Sequence, residues 1–320
     1  MGHVLVTGGS GNIGMYAVAE FIRRGHQVTV LDRETAAPML MEVAPEAKIV
    51  AGDILDVEHL SDVIRNGRID SILHLAAYLG PESVTSPIKA MDVNCRGTAN
   101  IFDLAIQHGV RQVCWTSSIA AVGTLPDYDG RPVDESYRIA STTTYGASKY
   151  YGELISAIYR GRGLDVRCVR AAFAFGLGKL TGSWGANYNR VIYNAALGKP
   201  SIFPSWAKTG MQMIYNKDQG KLCVEATLSP PSEHWLFNTP TEKAFSEEEV
   251  IDLIRDVVPD ADITRDYTPP PGSAFPPNVD GSRAVRELGF SPDYSVRDGI
   301  AEMVDYYRRD GHRAVQSVQS

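Results

Sequence analysis

Short apolar segments alternate with longer amphipathic segments through the first half of the chain. The amphipathic segments repeat about every 3.6 residues, as in Ile13–Arg24, Pro87–His108 and Thr144–Arg162. Buried strands separated by helices predict an α/β fold with a doubly wound parallel sheet of the Rossmann type and right-handed crossovers. The apolar segments predicted as strands are His3–Gly8, Gln27–Asp32, Ala47–Asp53, Ser71–Ala76, Gln112–Ser117 and Asp165–Arg170.

The alternation ends near Phe173, where stretches rich in Gly, Trp, Asn and Pro begin. We therefore expect a Rossmann domain over residues 1–172 and a smaller α/β region over residues 173–313, some of whose segments can return to the first domain. The polar residues 314–320 predict a disordered tail. The shorter elements predicted in this half are the strands Met211–Tyr215 and Trp235–Asn238 and the helices Ser246–Val258 and Val296–Arg309.

Composition narrows the class of protein. Hydrophobic residues make up 44% of the chain and charged residues 22%, as in ordinary globular proteins. The net charge of -7 argues against nucleic acid or an anionic membrane as a partner. No apolar run is long enough to span a bilayer, and the first strand begins too early to leave room for a signal peptide. We expect a cytoplasmic protein.

Four scattered cysteines, at positions 95, 114, 168 and 223, form no Cys-x-x-Cys motif. Two of them fall inside predicted buried strands, which favours reduced core residues over disulfides. The seven histidines are equally dispersed and show no metal-ligand spacing, so no metal site is predicted.

A glycine-rich loop, Thr7-Gly-Gly-Ser-Gly-Asn-Ile-Gly14, follows the first predicted strand and leads into the first predicted helix. Its glycines allow a tight turn and a close approach of the backbone to a pyrophosphate at the helix N-terminus. The loop therefore predicts a dinucleotide site, although a tight turn alone would also explain the glycines. The residues predicted to contact the cofactor here are Gly8, Gly11, Asn12, Ile13 and Gly14.

The end of the second strand bears on which dinucleotide binds. A carboxylate at Asp32 can accept hydrogen bonds from both ribose hydroxyls of adenosine and would repel a 2′-phosphate. Arg33 follows directly and could instead pair with that phosphate. Because the glycine loop itself contains no Lys or Arg, NAD is favoured over NADP.

Two further strand ends are predicted to line the same site. Asp53, followed by Ile54, could reach the adenine amino group, although a Gly-Asp pair also suits a simple turn. Leu75, Ala76 and Ala77 end the fourth strand, where small residues let the middle of the cofactor pass close to the backbone.

The motif Thr143-Thr-Tyr-Gly-Ala-Ser-Lys149 places Tyr145 and Lys149 on one face of a predicted helix. An ammonium there can lower the pKa of the phenol, and the tyrosinate can then take a proton from an alcohol. Such a pair also occurs by chance in helices. Beside a dinucleotide loop, it predicts hydride transfer at a carbon that bears oxygen.

In order and spacing, these motifs resemble those of the extended short-chain dehydrogenase/reductase family, the NAD-dependent epimerase/dehydratase group. The likeness covers nearly the whole chain. The matching segments are Thr7–Gly14, Asp32, Gly52–Asp53, His74–Ala77, Asn94–Thr98, Thr116–Ser118, Tyr145–Lys149, Arg170 and Asp280–Pro292.

The resemblance implies a role for each catalytic residue. Tyr145 would be the acid/base, and Lys149 would lower its pKa while bonding the nicotinamide ribose. Ser118 would hydrogen-bond the reacting oxygen, with Ser117 as its alternative and as a cofactor contact. Asn94 would order the site or its proton-relay water. Family members commonly pair the helices that carry the Asn and the Tyr into a four-helix bundle, so a homodimer is expected.

The second half departs from the sugar-nucleotide members of the family. Those usually carry an Asn shortly after the Arg of the sixth strand and an Arg in a later strand, and both hold the diphosphate. This chain has Phe173 where the Asn belongs, and Gly210–Asp218 contains no Arg. A buried diphosphate would then be poorly compensated, unless Arg190 or Lys208 substitutes. The Met-rich form of this segment, together with Ser118-Ile-Ala-Ala-Val-Gly123 after the fifth strand, resembles the branch containing L-threonine dehydrogenase and sugar-acid dehydrogenases.

We therefore predict an NAD-dependent oxidoreductase that acts on a secondary alcohol of a small polar substrate, such as a sugar, sugar acid or hydroxy amino acid. The alternative is an NDP-sugar 4-epimerase or a related sugar-nucleotide enzyme. A non-catalytic NAD-binding regulatory protein is less favoured, because such proteins typically lose the Tyr or the Lys. The glycine-rich loop 176–185 suits a lid, and Trp206 an ordinary core or lid aromatic. The predicted substrate contacts are Glu82, Ser83, Thr181, Ser183, Trp184 and Asn187.

Overall fold

The computed structural model describes most of the chain. The described residues are 2–123, 130–178, 180, 184–204, 210–266, 276 and 278–316, with the side chains of residues 184, 266 and 311–316 left aside. Thr181, Ser183, Trp206 and Lys208 lie outside the described residues, so the predictions made for them stay predictions.

Twelve strands are found in this part of the chain, and all six predicted strands of the first half are among them. They are β1 (His3–Thr7), β2 (Gln27–Asp32), β3 (Lys48–Ala51), β4 (Ser71–His74), β5 (Gln112–Ser118), β6 (Asp165–Ala171), β7 (Phe173–Phe175), β8 (Ser201–Pro204), β9 (Met211–Tyr215), β10 (Leu236–Asn238), β11 (Ala244–Phe245) and β12 (Ile263–Asp266).

Seven of these strands form one parallel sheet in the order β10-β6-β5-β4-β1-β2-β3. The chain order reverses between β1 and β4, which leaves a crevice at the carboxyl ends of these two strands. This architecture confirms the predicted doubly wound Rossmann sheet.

Helices cover both faces of the sheet. They are α1 (Gly14–Arg23), α2 (Pro38–Val43), α3 (Val57–Gly67), α4 (Gly80–Thr85), α5 (Pro87–Met91), α6 (Thr98–Gln107), α7 (Thr144–Gly161), α8 (Trp184–Ala196), α9 (Asn216–Leu228), α10 (Glu247–Val257), α11 (Ser282–Leu288) and α12 (Val296–Gln316).

The first strand shows why these segments are apolar throughout. Val4 and Val6 pack into the core layer that includes α1 and α9, whereas Leu5 packs into the layer on the opposite face. Successive side chains of a strand point to opposite faces, so a strand with helices on both sides needs apolar residues at every position.

Two helix predictions are refined. The segment predicted as one helix from Pro87 to His108 consists of α5, a π-helical stretch over Asp92–Gly97 and α6. The last helix was predicted to end near Arg309 and instead extends to Gln316.

The helix α10 begins with a capping box. Ser246 Oγ accepts a hydrogen bond from Glu249 N at 3.2 Å, and Glu249 Oε2 accepts one from Ser246 N at 2.7 Å. The reciprocal bonds satisfy backbone N–H groups that the first turn would otherwise leave without partners.

Part of the second half of the chain joins the main sheet, and the rest forms a separate core. The strand β10 extends the main sheet beside β6, and α9 packs against α1. The remaining strands form two small sheets, β11-β9-β7 and β12-β8, which share an aromatic core with α8 and α12. The domain boundary predicted at residues 172 and 173 stays a prediction.

No helix in the described part of the chain is long and apolar enough to cross a membrane.

Candidate active site

A cleft of about 560 Å³ lies at the carboxyl edge of the main sheet, over the crevice between β1 and β4. It brings together nearly all the residues that the sequence predicts for the cofactor and for catalysis. Those that line it are Gly8, Gly11, Asn12, Ile13, Gly14, Asp32, Arg33, Asp53, Ile54, Leu75, Ala76, Ala77, Ser117, Ser118, Tyr145 and Lys149.

The glycine loop lies directly against the end of β4. Gly8 has a φ of +73°, a backbone conformation that favours glycine, and its N–H donates to Leu31 O at 3.0 Å. A Cβ at Gly8 would stand 2.7 Å from Ala76 N. This close approach keeps side chains out of the floor of the cleft, which fits a pyrophosphate bound by backbone N–H groups.

Asp32 and Arg33 differ in how they are held. The Asp32 carboxylate accepts hydrogen bonds from Ser10 N at 3.0 Å and Glu34 N at 3.2 Å, which fix it beside the glycine loop. The Arg33 guanidinium is hydrogen-bonded to Tyr78 and lies 5.4 Å from the centroid of its ring. Arg33 is therefore engaged with the segment after β4, while Asp32 is held by backbone N–H groups, and both residues line the cleft.

Asp53 serves a turn as well as lining the cleft. Its Oδ1 accepts a hydrogen bond from Leu55 N at 2.9 Å, so the turn that the sequence leaves open as an alternative is present. Ile54 is buried and packs against Gly97 of the π-helical stretch. Both residues remain in the wall of the cleft.

Tyr145 and Lys149 lie one turn apart on α7. The helix starts at a fixed point, because Thr143 Oγ1 accepts a hydrogen bond from Gly146 N at 3.0 Å as its N-cap. Lys149 is buried and donates to Thr116 O at 2.8 Å. Its Nζ lies 5.7 Å from the centroid of the Tyr145 ring.

Burial shifts the pKa of both groups toward their neutral forms. It raises the pKa of the Tyr145 phenol to about 12, opposed by a hydrogen bond with Ser118. It lowers the pKa of the Lys149 ammonium to about 8. Desolvation is thus the largest influence on the pKa of Tyr145, and the lowering expected from the Lys149 ammonium stays a prediction.

The two serines at the end of β5 have different surroundings. Ser118 is the N-cap of a 3₁₀ turn, Ile119–Ala121, and its Oγ accepts a hydrogen bond from Ala120 N at 3.2 Å. Ser117 is buried and its Oγ donates to Glu153 Oε1 at 2.6 Å. Of the two hydroxyls, only that of Ser118 is bonded to the phenol of Tyr145.

A buried ion pair behind the catalytic helix was not predicted. Arg170 donates from Nε and Nη2 to the two carboxylate oxygens of Glu153, each at 2.8 Å. The pair joins α7 to β6, and Ser117 adds β5 to it through the same carboxylate. The sequence did contain a signal for this pair: a Glu lies one turn after Lys149 on the predicted helix, and the following predicted strand contains an Arg.

Asn94 lies beside the cleft and not in its lining. Its Oδ1 accepts from Tyr78 N at 2.8 Å, and its Nδ2 donates to Tyr78 O at 2.9 Å and to Ser148 Oγ at 3.0 Å. The side chain therefore ties the segment after β4 to α7. This arrangement fits the expectation that Asn94 orders the site.

The far end of the cleft is formed by residues from both halves of the chain. Of the predicted substrate contacts, Glu82 lines the cleft. Ser83 is buried and donates to Leu79 O at 2.8 Å, and Asn187 accepts from Arg190 at 3.5 Å. Lining residues that were not predicted as contacts include Thr142, Thr143, Thr144, Met211, Gln212, Thr239 and Val279.

In the two segments where the resemblance led us to look for diphosphate ligands, apolar residues line the cleft. Phe173 and Met211 both line the cleft, on the neighbouring strands β7 and β9. Phe173 also packs edge-on against Tyr188, with 5.0 Å between ring centroids. Arg190, one predicted substitute for the missing cation, is exposed on α8 and is not in the lining.

Among the described residues, no group of three or more His, Cys, Asp or Glu side chains is arranged to hold a metal ion.

Comparison with known proteins identifies the family. The profile of the NAD dependent epimerase/dehydratase family matches residues 4–235. Among curated relatives, the mitochondrial L-threonine 3-dehydrogenase of Bos taurus is 28% identical over 95% of this chain and 82% of its own length. A putative UDP-glucose 4-epimerase of Methanocaldococcus jannaschii is 28% identical over 96% of this chain and 99% of its own length.

The fold is shared with solved structures. A UDP-glucose 4-epimerase from Thermotoga maritima, determined with UDP-glucose, superposes with a TM-score of 0.86 at 23% identity, covering 96% of this chain and 99% of that one.

Proposed function

The chain belongs to the NAD-dependent epimerase/dehydratase family, and on that premise we propose that it oxidises a free secondary alcohol of a small polar substrate. A sugar, a sugar acid or a hydroxy amino acid would suit the hydroxyl and amide groups at the far end of the cleft. Tyr145 is the proposed acid/base, Lys149 its cationic partner and Ser118 the group that orients the reacting oxygen.

The cofactor of the family is NAD, and the residues of the cleft fit it. The backbone of the glycine loop would hold the pyrophosphate, and Asp32 would hold the adenosine ribose. When bound, NAD accepts a hydride from the alcohol carbon and brings a positively charged ring beside the catalytic residues.

The side chains of the protein transfer the proton of the substrate hydroxyl. Ionised Tyr145 accepts it from the substrate hydroxyl, while Ser118 donates a hydrogen bond to the same oxygen and holds it in place. Burial disfavours the tyrosinate, since it raises the pKa of the phenol to about 12. The Lys149 ammonium on the same helix face offsets part of this cost by its charge.

The single observation that carries the choice of substrate is the apolar wall of Phe173 and Met211. A diphosphate placed against these two side chains would lose its water without gaining a hydrogen bond or a counter-charge from either of them. A free alcohol with small polar substituents has no such requirement. The similarity to an L-threonine 3-dehydrogenase over 95% of this chain supports the same choice.

The alternative is epimerisation of an NDP-sugar, as in the relatives named UDP-glucose 4-epimerase. One observation favours it: the Methanocaldococcus jannaschii protein matches this chain over 99% of its length. Tyr145 and Ser118 would serve this reaction in the same way, so the catalytic residues do not separate the two candidates.

The deciding experiment is a paired assay. NADH formation is measured with NAD and a panel of free polyols, aldonates and hydroxy amino acids, beside interconversion of UDP-glucose and UDP-galactose. We expect net NADH from a free alcohol and no epimerisation. Epimer formation without net NADH would show that the proposed substrate class is wrong.

We also propose that the protein is a homodimer through the helices α4 to α7. This face exposes an unusual number of large apolar side chains, which a second copy would cover. They are Val84, Ile88, Met91, Tyr151, Leu154 and Ile158. Sedimentation of the wild-type protein and of Leu154→Asp should give a dimer and a monomer, respectively, and a wild-type monomer would rule the proposal out.

A further inference from the structure

A buried asparagine connects the glycine loop to the segment that follows β7. Asn216 Nδ2 donates to Asn12 O at 3.1 Å and to Leu177 O at 2.7 Å. Asn12 belongs to the glycine loop and lines the cleft. Leu177 lies just beyond β7, whose first residue, Phe173, lines the far end of the same cleft. One side chain therefore bridges the backbone of the glycine loop and the backbone of the segment after β7.

The segment 176–178 is shaped to accept this bridge. A Cβ at Gly176 would overlap the amide of Asn216, and a Cβ at Gly178 would overlap the amide of Asn12. On its other side, the Gly176 N–H donates to Asn189 Oδ1 at 2.9 Å. Glycine at both positions lets two asparagine side chains approach the backbone from opposite directions.

The burial of Asn216 indicates that its amide has a specific task. Only 1% of the residue is exposed, and its Oδ1 has no hydrogen-bond partner among the described residues. A buried amide with an unbonded oxygen is costly, and an apolar side chain could fill the same space without that cost. What an apolar side chain cannot do is donate to the Asn12 and Leu177 carbonyls.

We propose that Asn216 is a positioning residue for NAD: by holding Asn12 against the segment after β7, it fixes the glycine loop in the conformation that binds the cofactor. The inference rests on the proposed function, in which the glycine loop holds NAD. Without these two hydrogen bonds the glycine loop is free to move. Each NAD molecule that binds must then order the loop, which costs conformational entropy. We therefore expect loss of the bridge to weaken NAD binding.

The chain contains a matched control. Asn238 is also fully buried, and its Nδ2 also donates to two backbone carbonyls, those of Val133 at 2.9 Å and Asp280 at 3.1 Å. Its Oδ1 likewise has no partner among the described residues. Asn216 and Asn238 therefore differ in which segments they join, and only Asn216 contacts the glycine loop.

The test compares Asn216→Leu with Asn238→Leu in the full-length protein, by calorimetric titration with NAD and by thermal unfolding without it. We expect both variants to unfold at lower temperature and only Asn216→Leu to raise the Kd for NAD, by about tenfold. An equal rise in both, or none in Asn216→Leu, overturns the inference. Failure of the wild-type protein to bind NAD would instead overturn the proposed function.

A second variant keeps the test decisive if Asn216→Leu does not fold. Gly178→Ala places a methyl group against the Asn12 amide, and Gly198→Ala is its control, because Gly198 also has a positive φ but open space around it. We expect Gly178→Ala to weaken NAD binding several-fold more than Gly198→Ala. Equal NAD affinities in the two alanine variants would contradict the proposed bridge.

Discussion

The two ends of the cleft are built in different ways. The cofactor end is formed by loops that follow β1 to β4, in chain order and within the first 77 residues. The far end combines α7 with Phe173, Met211, Gln212 and Thr239. The cofactor end depends on local patterns along the chain, whereas the far end depends on which distant segments pack together.

This difference has a physical origin. Parallel strands end at a common edge, so the loops after them converge wherever a doubly wound sheet forms. No comparable rule fixes the small sheet β11-β9-β7, in which Phe173 pairs with Met213. A cofactor is therefore easier to predict from a sequence of this kind than a substrate. Substitutions at each end test whether the two ends also act separately.

The largest expected effect is on catalysis at the junction of the two ends. Tyr145→Phe removes the hydroxyl that exchanges a proton with the substrate, and turnover should fall by about 10³-fold. NAD affinity should not change, because the phenol is not a proposed ligand of the adenosine half. The loss of turnover is measured with the alcohol found in the paired assay. The affinity for NAD is measured by calorimetry.

Tyr151→Phe is the control for this variant, since Tyr151 lies on the same helix but not in the lining of the cleft, and the change keeps its ring on the proposed dimer face. It should retain wild-type turnover. If Tyr145→Phe also retained it, the proton would have to leave by another group and the proposed mechanism would be wrong.

The same contrast explains which features could be predicted from the sequence. The strands, the glycine loop and the Tyr145–Lys149 pair depend on local periodicity and spacing, and the structure places them as predicted. The Glu153–Arg170 pair was missed, because a helix and a strand must first be packed before their charges can be matched. The effect of desolvation on the pKa of Tyr145 was also missed, since burial cannot be read from spacing.

The second prediction concerns the pH dependence of folding. Burial lowers the pKa of Lys149 to about 8, from 10.5 in its ordinary state, so the unfolded protein binds more protons between these two pH values. Relative to Lys149→Met, the wild-type protein should therefore gain stability as pH rises from 8 toward 10.5, by up to about 3 kcal/mol. Urea unfolding without NAD at pH 7.5, 9 and 10 measures the difference between the two proteins.

Comparison with a variant is necessary here, because buried tyrosines and cysteines with raised pKa values also make stability depend on pH. These groups are common to both proteins and cancel in the difference. Lys48→Met, at an exposed position on β3, supplies the control and should follow the wild-type curve. Parallel curves for Lys149→Met and wild type would mean that Lys149 is not desolvated in solution.

The third prediction tests the cofactor end of the cleft alone. Asp32→Ala removes the carboxylate proposed to bind the ribose hydroxyls, and the Kd for NAD should rise by about tenfold, or about 1.4 kcal/mol. Affinity for NADP should fall less, because the same change removes a charge that repels its 2′-phosphate. Calorimetry with both dinucleotides measures the effect.

Asp56→Ala is the control, since Asp56 also accepts a backbone hydrogen bond, from His59 N at 3.1 Å, but is not in the lining of the cleft. It should leave both affinities unchanged. Equal losses of NAD and NADP in Asp32→Ala would contradict the proposed discrimination by Asp32.

The smallest expected effect lies at the far end, where the apolar wall is proposed to disfavour diphosphates. With UDP as the probe, the wild-type protein should bind no more tightly than about 1 mM. Phe173→Asn adds one neutral amide, which contributes about 1 kcal/mol and should strengthen UDP binding by about fivefold. Phe173→Leu keeps the wall apolar and should bind UDP as the wild type does, and neither change should alter NAD affinity. Micromolar binding of UDP to the wild-type protein would mean that the wall does not exclude a diphosphate. It would then favour the epimerase alternative, because the far end would bind the nucleotide part of an NDP-sugar despite its apolar wall.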